Sequence, residues 1–206
     1  LPFLTNQNDI ETALDETETA FNIVNTTENE RLLSVLFSRL TQLRDISGTV
    51  RLLSTKNTLT DIELFEIKHF ALLAESVREL AGQLKISFAA IPVLEKIIDI
   101  LDPEKKRIPH FYVYDRYSPA LAALRTQLSR MSGQECDEQE TEPVRLQAQL
   151  LEDKIRKDLV QQLFPHAPAL SKALHEIARL DVVFAKALQV KESGLCRPTV
   201  DDQRTA

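Results

Sequence analysis

Apolar side chains recur along most of the chain every three or four positions, the spacing at which residues share one face of an α-helix. Leu14 and Phe21 show this spacing near the start, and Leu180 and Phe184 show it near the end. Only four glycines interrupt the 206 residues. The pattern predicts an all-α protein, built as a multi-helix bundle core with an antiparallel, lever-like helical hairpin.

Polar residues three positions apart indicate where several helices begin, because each side chain of such a pair can accept the backbone N–H of the other residue. Three pairs have this spacing: Asn8 with Glu11, Thr27 with Glu30, and Thr60 with Glu63. Ser118 followed by Pro119 predicts a fourth start, with proline at the first helical position. Further helices are expected over 45–54, 93–101, 144–163 and 169–190.

One short segment, His110–Asp115 (HFYVYD), has the composition of a strand. A single strand has no partner with which to form a sheet, so we expect an ordered connector packed on helices. The aromatic residues in and just after it, Phe111, Tyr112, Tyr114 and Tyr117, are interpreted as packing groups of that connector.

The segment Ser132–Pro143 separates two amphipathic stretches and contains five acidic residues but no Lys or Arg. We interpret it as the tip of the hairpin. DNA affinity depends largely on cations that neutralise phosphates, so this acidic tip is not expected to bind DNA. The returning helix is predicted to turn five apolar residues inward: Leu150, Leu151, Ile155, Leu159 and Leu163.

Composition and charge further limit the partners and the cellular compartment that we expect for the chain. The chain is 43% hydrophobic and 27% charged with a net charge of −6, which gives no overall basic field to attract nucleic acid. The run Lys105-Lys106-Arg107 is interpreted as a solvated loop. Cys136 and Cys196 form no disulfide or metal-binding pattern, which is typical of a reducing compartment. With no apolar run of membrane length, we predict a cytoplasmic protein without membrane contact.

A search for catalytic patterns finds none. His69 falls on an apolar face and is interpreted as a core residue. His175-Glu176 does not begin an H-E-x-x-H zinc helix, because position 179 is Arg. No glycine-rich phosphate loop or nucleophile elbow is present. We therefore predict no catalytic, cofactor-binding or metal-ligating residue and no enzyme activity for this chain. An all-α hydrolase, whose acidic residues or histidines would converge only in space, stays open.

Four stretches carry a resemblance to a known family. The first stretch, Leu14–Ala20, follows the pattern L-x-E-T-x-x-A, and the second, Arg44–Ile46 with Leu59–Leu64, follows D-I and then L-s-x-x-E-L. The third stretch, Ser118–Arg125, follows S-P-x-L-x-x-L-R. The fourth, Ala178–Ala187, follows A-x-L-D-v-l-x-A-x-A. Arg197-Pro198 comes after the last of them, and Thr19 stands where Glu is common. In this order they resemble the core and lever region (domain III) of MutS-family proteins, in the branch without a mismatch-reading domain.

The resemblance implies a non-catalytic domain of a MutS-like DNA mismatch repair ATPase, which couples the nucleotide state of a downstream ATPase domain to DNA engagement. It divides the chain into a helical core (1–117), a lever-like hairpin (118–191, with the acidic tip at 132–143) and a linker (192–206). ATP and Mg²⁺ are expected only in the full-length protein. Duplex DNA is expected to bind only through the full-length homodimer, which would form through the ATPase domain.

The departure from the family lies at the tip. Relatives insert a β-rich DNA clamp between the two lever helices, and the twelve residues of 132–143 stand in its place. No position here matches a clamp residue, so DNA-binding residues remain unknown. The chain opens at Leu1 rather than Met, and we expect it to belong to a longer protein. The alternative is a stand-alone helical scaffold for protein–protein interaction.

Overall fold

The computed structural model describes residues 6–132 and 138–200, and every regular element in those ranges is helical. The predicted all-α class is confirmed. The α-helices are α1 (Gln7–Asn25), α2 (Glu30–Leu40), α3 (Ser47–Ser54), α4 (Asp61–Gln83), α5 (Glu95–Leu101), α6 (Pro119–Ser132), α7 (Glu138–Leu163) and α8 (Ala167–Ser193). An extended connector, residues 102–118, joins α5 to α6 and contains one 3₁₀ turn at Asp115–Tyr117.

The described residues form two compact units. One contains 6–43, 76–92 and 175–200, and the other contains 44–75, 93–132 and 138–174. Their boundaries fall inside α4 and α8. They differ from the predicted limits of core, hairpin and linker, which remain a prediction based on the family resemblance.

The first unit is organised around Phe184 of α8, which is 1% exposed. Phe37 of α2 approaches its ring edge-on at a centroid distance of 5.7 Å, and Phe88 lies 6.3 Å away. Such aromatic pairs stabilise a core beyond the area they bury. Ala20 is the one described residue of α1 that is fully buried, so this helix covers the core with a narrow face.

The second unit has an aliphatic core to which all of its helices contribute. Its fully buried side chains, each under 2% exposed, include Leu53, Leu59, Leu64, Ile67, Leu94, Ile97, Leu101 and Leu121. Burial of this kind is the dominant favourable contribution to folding. The connector takes part, because Phe111, Val113 and Tyr114 are also buried. The expectation of an ordered connector packed on helices is therefore confirmed.

The predicted helix starts have mixed outcomes. The Thr60–Glu63 capping box is present, with Thr60 N–H donating to Glu63 Oε2 at 2.7 Å and Glu63 N–H donating to Thr60 Oγ1 at 3.4 Å. The start of α1 was placed too late, since Asn6 is the cap and its side chain accepts the Asn8 N–H at 3.0 Å. The predicted capping box of Thr27 and Glu30 is wrong, because residues 27–29 already form a 3₁₀ turn that leads into α2.

Three other boundaries shift by two to six residues. Asp45 lies before α3 and accepts the Ser47 N–H at 2.8 Å, so it caps the helix that was expected to include it. α8 begins at Ala167, with Pro168 in its first turn, where a missing N–H costs nothing. α7 begins at Glu138 rather than Val144 and includes Pro143. Acidic residues near a helix N-terminus interact favourably with the helix dipole, which favours this earlier start.

The start of α7 also corrects the predicted tip. The end of the segment 132–143 is helical from Glu138 onward, while residues 133–137 lie outside the described ranges. Leu150 was expected to point inward and is instead 62% exposed. The buried face of α7 contains Ala148 and Ile155, one turn to either side of Leu151, and Leu150 is rotated away from that face.

Candidate functional site: the base of the helical hairpin

α6 and α7 pack along each other as a hairpin whose base lies in the core of the second unit. Leu121 on α6 and Leu159 and Leu163 on α7 are buried at that base. Toward the tip, Leu124, Leu128 and Met131 are only partly buried. The hairpin is therefore packed most fully where it leaves the core, and the polar contacts that fix its position lie there too.

Arg125 joins α6 to the two segments on either side of it. Its Nη1 donates to the Val113 carbonyl at 2.7 Å and to Asp115 Oδ1 at 2.5 Å, both on the connector. Its Nη2 donates to Glu152 Oε1 on α7 at 2.7 Å. A guanidinium carries five N–H donors in a rigid plane, so one side chain can hold several segments at once.

Arg156 joins α7 to the first turn of α4. Its Nε and Nη2 donate to the two carboxylate oxygens of Asp61 at 2.7 and 3.3 Å, which is a bidentate pair. Nη1 also donates to Asp153 at 2.8 Å. The Arg156 side chain is 18% exposed and that of Asp61 is 41% exposed, so the pair is partly screened by water.

A buried lysine holds the connector. Lys68 on α4 is 1% exposed, and its Nζ donates to Asp102 Oδ1 at 3.1 Å, to the His110 carbonyl at 2.9 Å and to the Tyr114 hydroxyl at 3.0 Å. The Tyr114 hydroxyl in turn donates to the same His110 carbonyl at 3.0 Å. An ammonium group has three protons, and three acceptors surround this one. We name this group, Lys68, Asp102, His110 and Tyr114, the lysine cluster.

Two further hydrogen bonds complete the attachment of the connector. Asp102, also 1% exposed, uses Oδ2 to accept the Arg107 N–H at 2.6 Å. The Tyr117 hydroxyl donates to the Ile100 carbonyl at 2.9 Å. Burial, helped by Tyr114 and Asp102 nearby, raises the pKa of Tyr117 far above its ordinary value, which keeps this phenol a neutral donor.

The aromatic cluster predicted from the sequence is a packing feature. The Tyr112 and Tyr114 rings are 4.3 Å apart between centroids, and Phe111 meets Tyr114 edge-on at 5.9 Å. Lys105, Lys106 and Arg107 are exposed, as expected for a solvated loop. Lys106 and Arg107 pair with acidic residues of the same unit, Glu104 and Glu95.

In the first unit, α1 and α8 are held together by a second set of charges. Arg179 on α8 forms an ion pair with Glu16 on α1 and lies 3.8 Å from Glu176. Glu176 Oε2 also accepts the Ala90 N–H at 3.0 Å. This places Glu16 of the first resembling stretch against Arg179 of the fourth, although 163 positions separate them in the sequence.

The end of α8 returns to α1. Gly194 has a φ of +62°, a left-handed conformation that favours glycine, and the Leu195 N–H donates to the Val190 carbonyl at 3.2 Å. Arg197 Nη1 then lies 2.7 Å from both Asp15 and Glu18 of α1. A groove of about 330 Å³ lies here, lined mainly by α1 and residues 195–198. Three acidic residues of α1, Asp15, Glu16 and Glu18, therefore pair with two arginines.

The remaining candidates for a chemical role are a histidine and two cysteines. His69 is half-buried and stacks on Phe65 with an interplanar angle of 8°, and burial together with Arg44 lowers its pKa. Cys196 is exposed and unpaired, while Cys136 lies outside the described residues. Across 6–132 and 138–200, no group of three or more His, Cys, Asp or Glu could hold a metal ion. Within those ranges, no helix is both long and apolar enough to cross a membrane.

Sequence reasoning missed the charged residues at the hairpin base, and one signal could have revealed Lys68. It lies four positions after Leu64 and three before Ala71, both fully buried, so a charged residue occupies the apolar face of α4. A charge at such a position is almost always paired. Arg125 was noted only as the last position of the third resembling stretch, and no comparable signal exists for Arg156, because arginines are common on helix surfaces.

Comparison with known proteins adds no further assignment, since no protein-family model matches the chain and no curated protein matches it either.

Proposed function

We propose that this chain is the non-catalytic core and lever region of a MutS-like DNA mismatch repair ATPase, in which it couples the nucleotide state of a downstream ATPase domain to DNA engagement. The proposal rests on the family resemblance of the four stretches. The observation that supports it most is the contact of the first stretch with the fourth through Glu16 and Arg179. Arg197, in the segment that follows the fourth stretch, pairs with Asp15 and Glu18 of the first.

The hairpin supports the same proposal. A lever must have a long arm and a fixed base, and α7 has 26 residues, or about 39 Å at 1.5 Å per residue. Its base is packed and bonded, while the far part of the arm carries exposed Glu142 and Arg145. Within the proposal, ATP and Mg²⁺ belong to the downstream domain, and DNA is engaged by the full-length dimer.

The first test is the coding sequence beyond Ala206. We expect a G-x-x-x-x-G-K-[ST] phosphate-binding loop within roughly 150 residues, because such a loop cradles the nucleotide phosphates. Its absence there would remove the ATPase from the proposal. The second test is hydrogen exchange on the full-length protein with and without ATP. Exchange in α6 and α7 should depend on nucleotide, and substitution of the loop lysine should abolish that dependence.

A second candidate function, a stand-alone scaffold for protein–protein interaction, is favoured by one specific observation. Leu146 and Leu150, one turn apart on α7, are 54% and 62% exposed. Large apolar side chains grouped on a surface often indicate an interaction site. A stoichiometric partner that is lost in a Leu146→Ser, Leu150→Ser variant, with no ATPase domain encoded downstream, would favour this function over the lever.

A further inference from the structure

We infer that the connector, residues 102–118, is the element that positions the hairpin on α4. Lys68 attaches the connector to α4, and Arg125 attaches it to the hairpin. The inference deepens the proposed lever function and rests on it for its biological meaning. The positioning itself depends only on contacts within the second unit and is tested there.

The polar contacts at the hairpin base form a closed ring. Arg156 on α7 binds Asp61 at the start of α4, and Glu152 on α7 binds Arg125 on α6. Arg125 binds Val113 and Asp115 of the connector, and the adjacent Tyr114 binds Lys68 of α4. Two routes therefore lead from α4 to the hairpin, one directly to α7 and one through the connector to α6.

We expect the two routes to differ in how firmly they hold the hairpin on α4. Asp61 is 41% exposed, and ion pairs in contact with water contribute little to stability. Lys68 and Asp102 are each 1% exposed, and removing one member of a buried pair leaves an uncompensated charge. Buried Phe111, Val113 and Tyr114 add apolar anchoring to the connector route. At the hairpin end, the connector route includes the Arg125–Asp115 pair, whose side chains are 30% and 55% exposed, but the same guanidinium also binds the carbonyl of buried Val113. We therefore expect the connector route to dominate in fixing the hairpin.

The connector can be observed separately from the helices. The chain has three tyrosines and no tryptophan, and all three tyrosines, at positions 112, 114 and 117, belong to the connector. The tyrosine band in near-ultraviolet circular dichroism thus measures the order of the connector. The far-ultraviolet signal measures the helices.

The position of the hairpin can be followed with two spin labels. Ile62 on α4 and Ser129 on α6 are both exposed, so Ile62→Cys and Ser129→Cys carry the labels in a background with Cys136→Ser and Cys196→Ser. In this background we compare Lys68→Met, Arg125→Gln and Arg156→Gln. Arg116→Gln is the matched control, because Arg116 is an exposed arginine on the same connector that makes none of the contacts above.

We expect Lys68→Met to lose most of the tyrosine band and to broaden the distance distribution between the labels, with the far-ultraviolet signal retained. Arg125→Gln should broaden the distribution while leaving more of the tyrosine band. Arg156→Gln should broaden it less than either, and Arg116→Gln should change nothing. If Lys68→Met does not fold, Asp102→Asn, which keeps an acceptor for Lys68, should show the same pattern to a smaller degree.

The inference is overturned if the distribution stays narrow when the tyrosine band is lost, or if Arg156→Gln broadens it most. Either result would assign the positioning to α7. All of these measurements use this chain without nucleotide. Their failure therefore leaves the search for a downstream ATPase unaffected, and failure of that search leaves the positioning result standing.

Discussion

At the scale of single residues, the Lys68–Asp102 ion pair lies in an environment that excludes water. Lys68 and Asp102 are each 1% exposed, and every proton of the ammonium group has an acceptor. A buried pair of this kind contributes little net stability compared with apolar residues, yet its disruption is costly. We expect the pair to favour a single conformation of the connector, because a fully satisfied polar cluster is more rigid than a partly satisfied one.

Replacing Lys68 with Met should lower the free energy of unfolding by about 3–5 kcal/mol, because Asp102 is then left as a buried, unpaired charge. The double variant Lys68→Met, Asp102→Asn should recover part of that loss, since it removes the orphaned charge. Urea unfolding monitored at the helical signal measures both. Lys154→Gln, a substitution of an exposed lysine on α7, is the control and should stay within about 0.5 kcal/mol of the wild type. A loss under about 1 kcal/mol for Lys68→Met would contradict the cost of the unpaired charge.

His69 should make stability depend on pH. Burial and the nearby Arg44 lower its folded-state pKa, so protonation is easier in the unfolded chain than in the folded one. The stability that neutral His69 contributes is present at pH values above about 6.5, the pKa of histidine in an unfolded chain, and is lost as the pH falls below that value. The free energy of unfolding should therefore decrease less between pH 7.5 and 5.5 in His69→Gln than in the wild type. Equal decreases in the two proteins would exclude His69 as a source of the pH dependence.

At the scale of elements, local signals placed the helices well and their ends less well. The Thr60–Glu63 box was predicted correctly because both partners lie within one turn. The face of α7 was misjudged at Leu150 because Leu150 and Leu151 are adjacent apolar residues that local spacing cannot tell apart, and only packing selects the rotation of the helix. The start of α7 was misjudged because proline is usually taken as a break, whereas Pro143 lies inside α7, in its second turn.

Thr60→Ala should lower the free energy of unfolding by about 0.5–2 kcal/mol, the usual cost of removing a side-chain N-cap. The Thr60 hydroxyl accepts the Glu63 N–H, and no other described side chain reaches that group. Thermal or urea unfolding measures the change. Thr58→Ala, on an exposed residue two positions earlier, should be nearly neutral, and an equal loss in both variants would show that the cap contributes nothing specific.

At the scale of the whole molecule, charge decides what the chain can bind by itself. A net charge of −6 gives no electrostatic attraction to a polyanion. The arginines at the hairpin base are paired, Arg125 with Asp115 and Glu152, and Arg156 with Asp61. Because these guanidinium groups already pair with carboxylates, we expect them to contribute little to phosphate binding.

We therefore expect the isolated chain to bind a short DNA duplex weakly or not at all near about 150 mM salt, where charges are screened beyond about 8 Å. Fluorescence anisotropy of a labelled duplex measures this. Glu142→Lys, which reverses an exposed charge within the acidic segment 132–143, should raise affinity at low salt and lose the gain as salt is added. Submicromolar, salt-sensitive binding by the unmodified chain would overturn the interpretation of the tip as unsuited to DNA.

The sequence by itself determined the all-α class, the order of the helices and the aromatic connector, because helical periodicity and capping depend on residues within a few positions of each other. It also brought out the resemblance on which the proposed function rests. Only the tertiary structure decided that Arg125, Arg156 and Lys68 meet their partners at the hairpin base. The partners on other elements lie from 10 to 95 positions away, and a pattern of local spacing cannot show which distant charges packing will bring together.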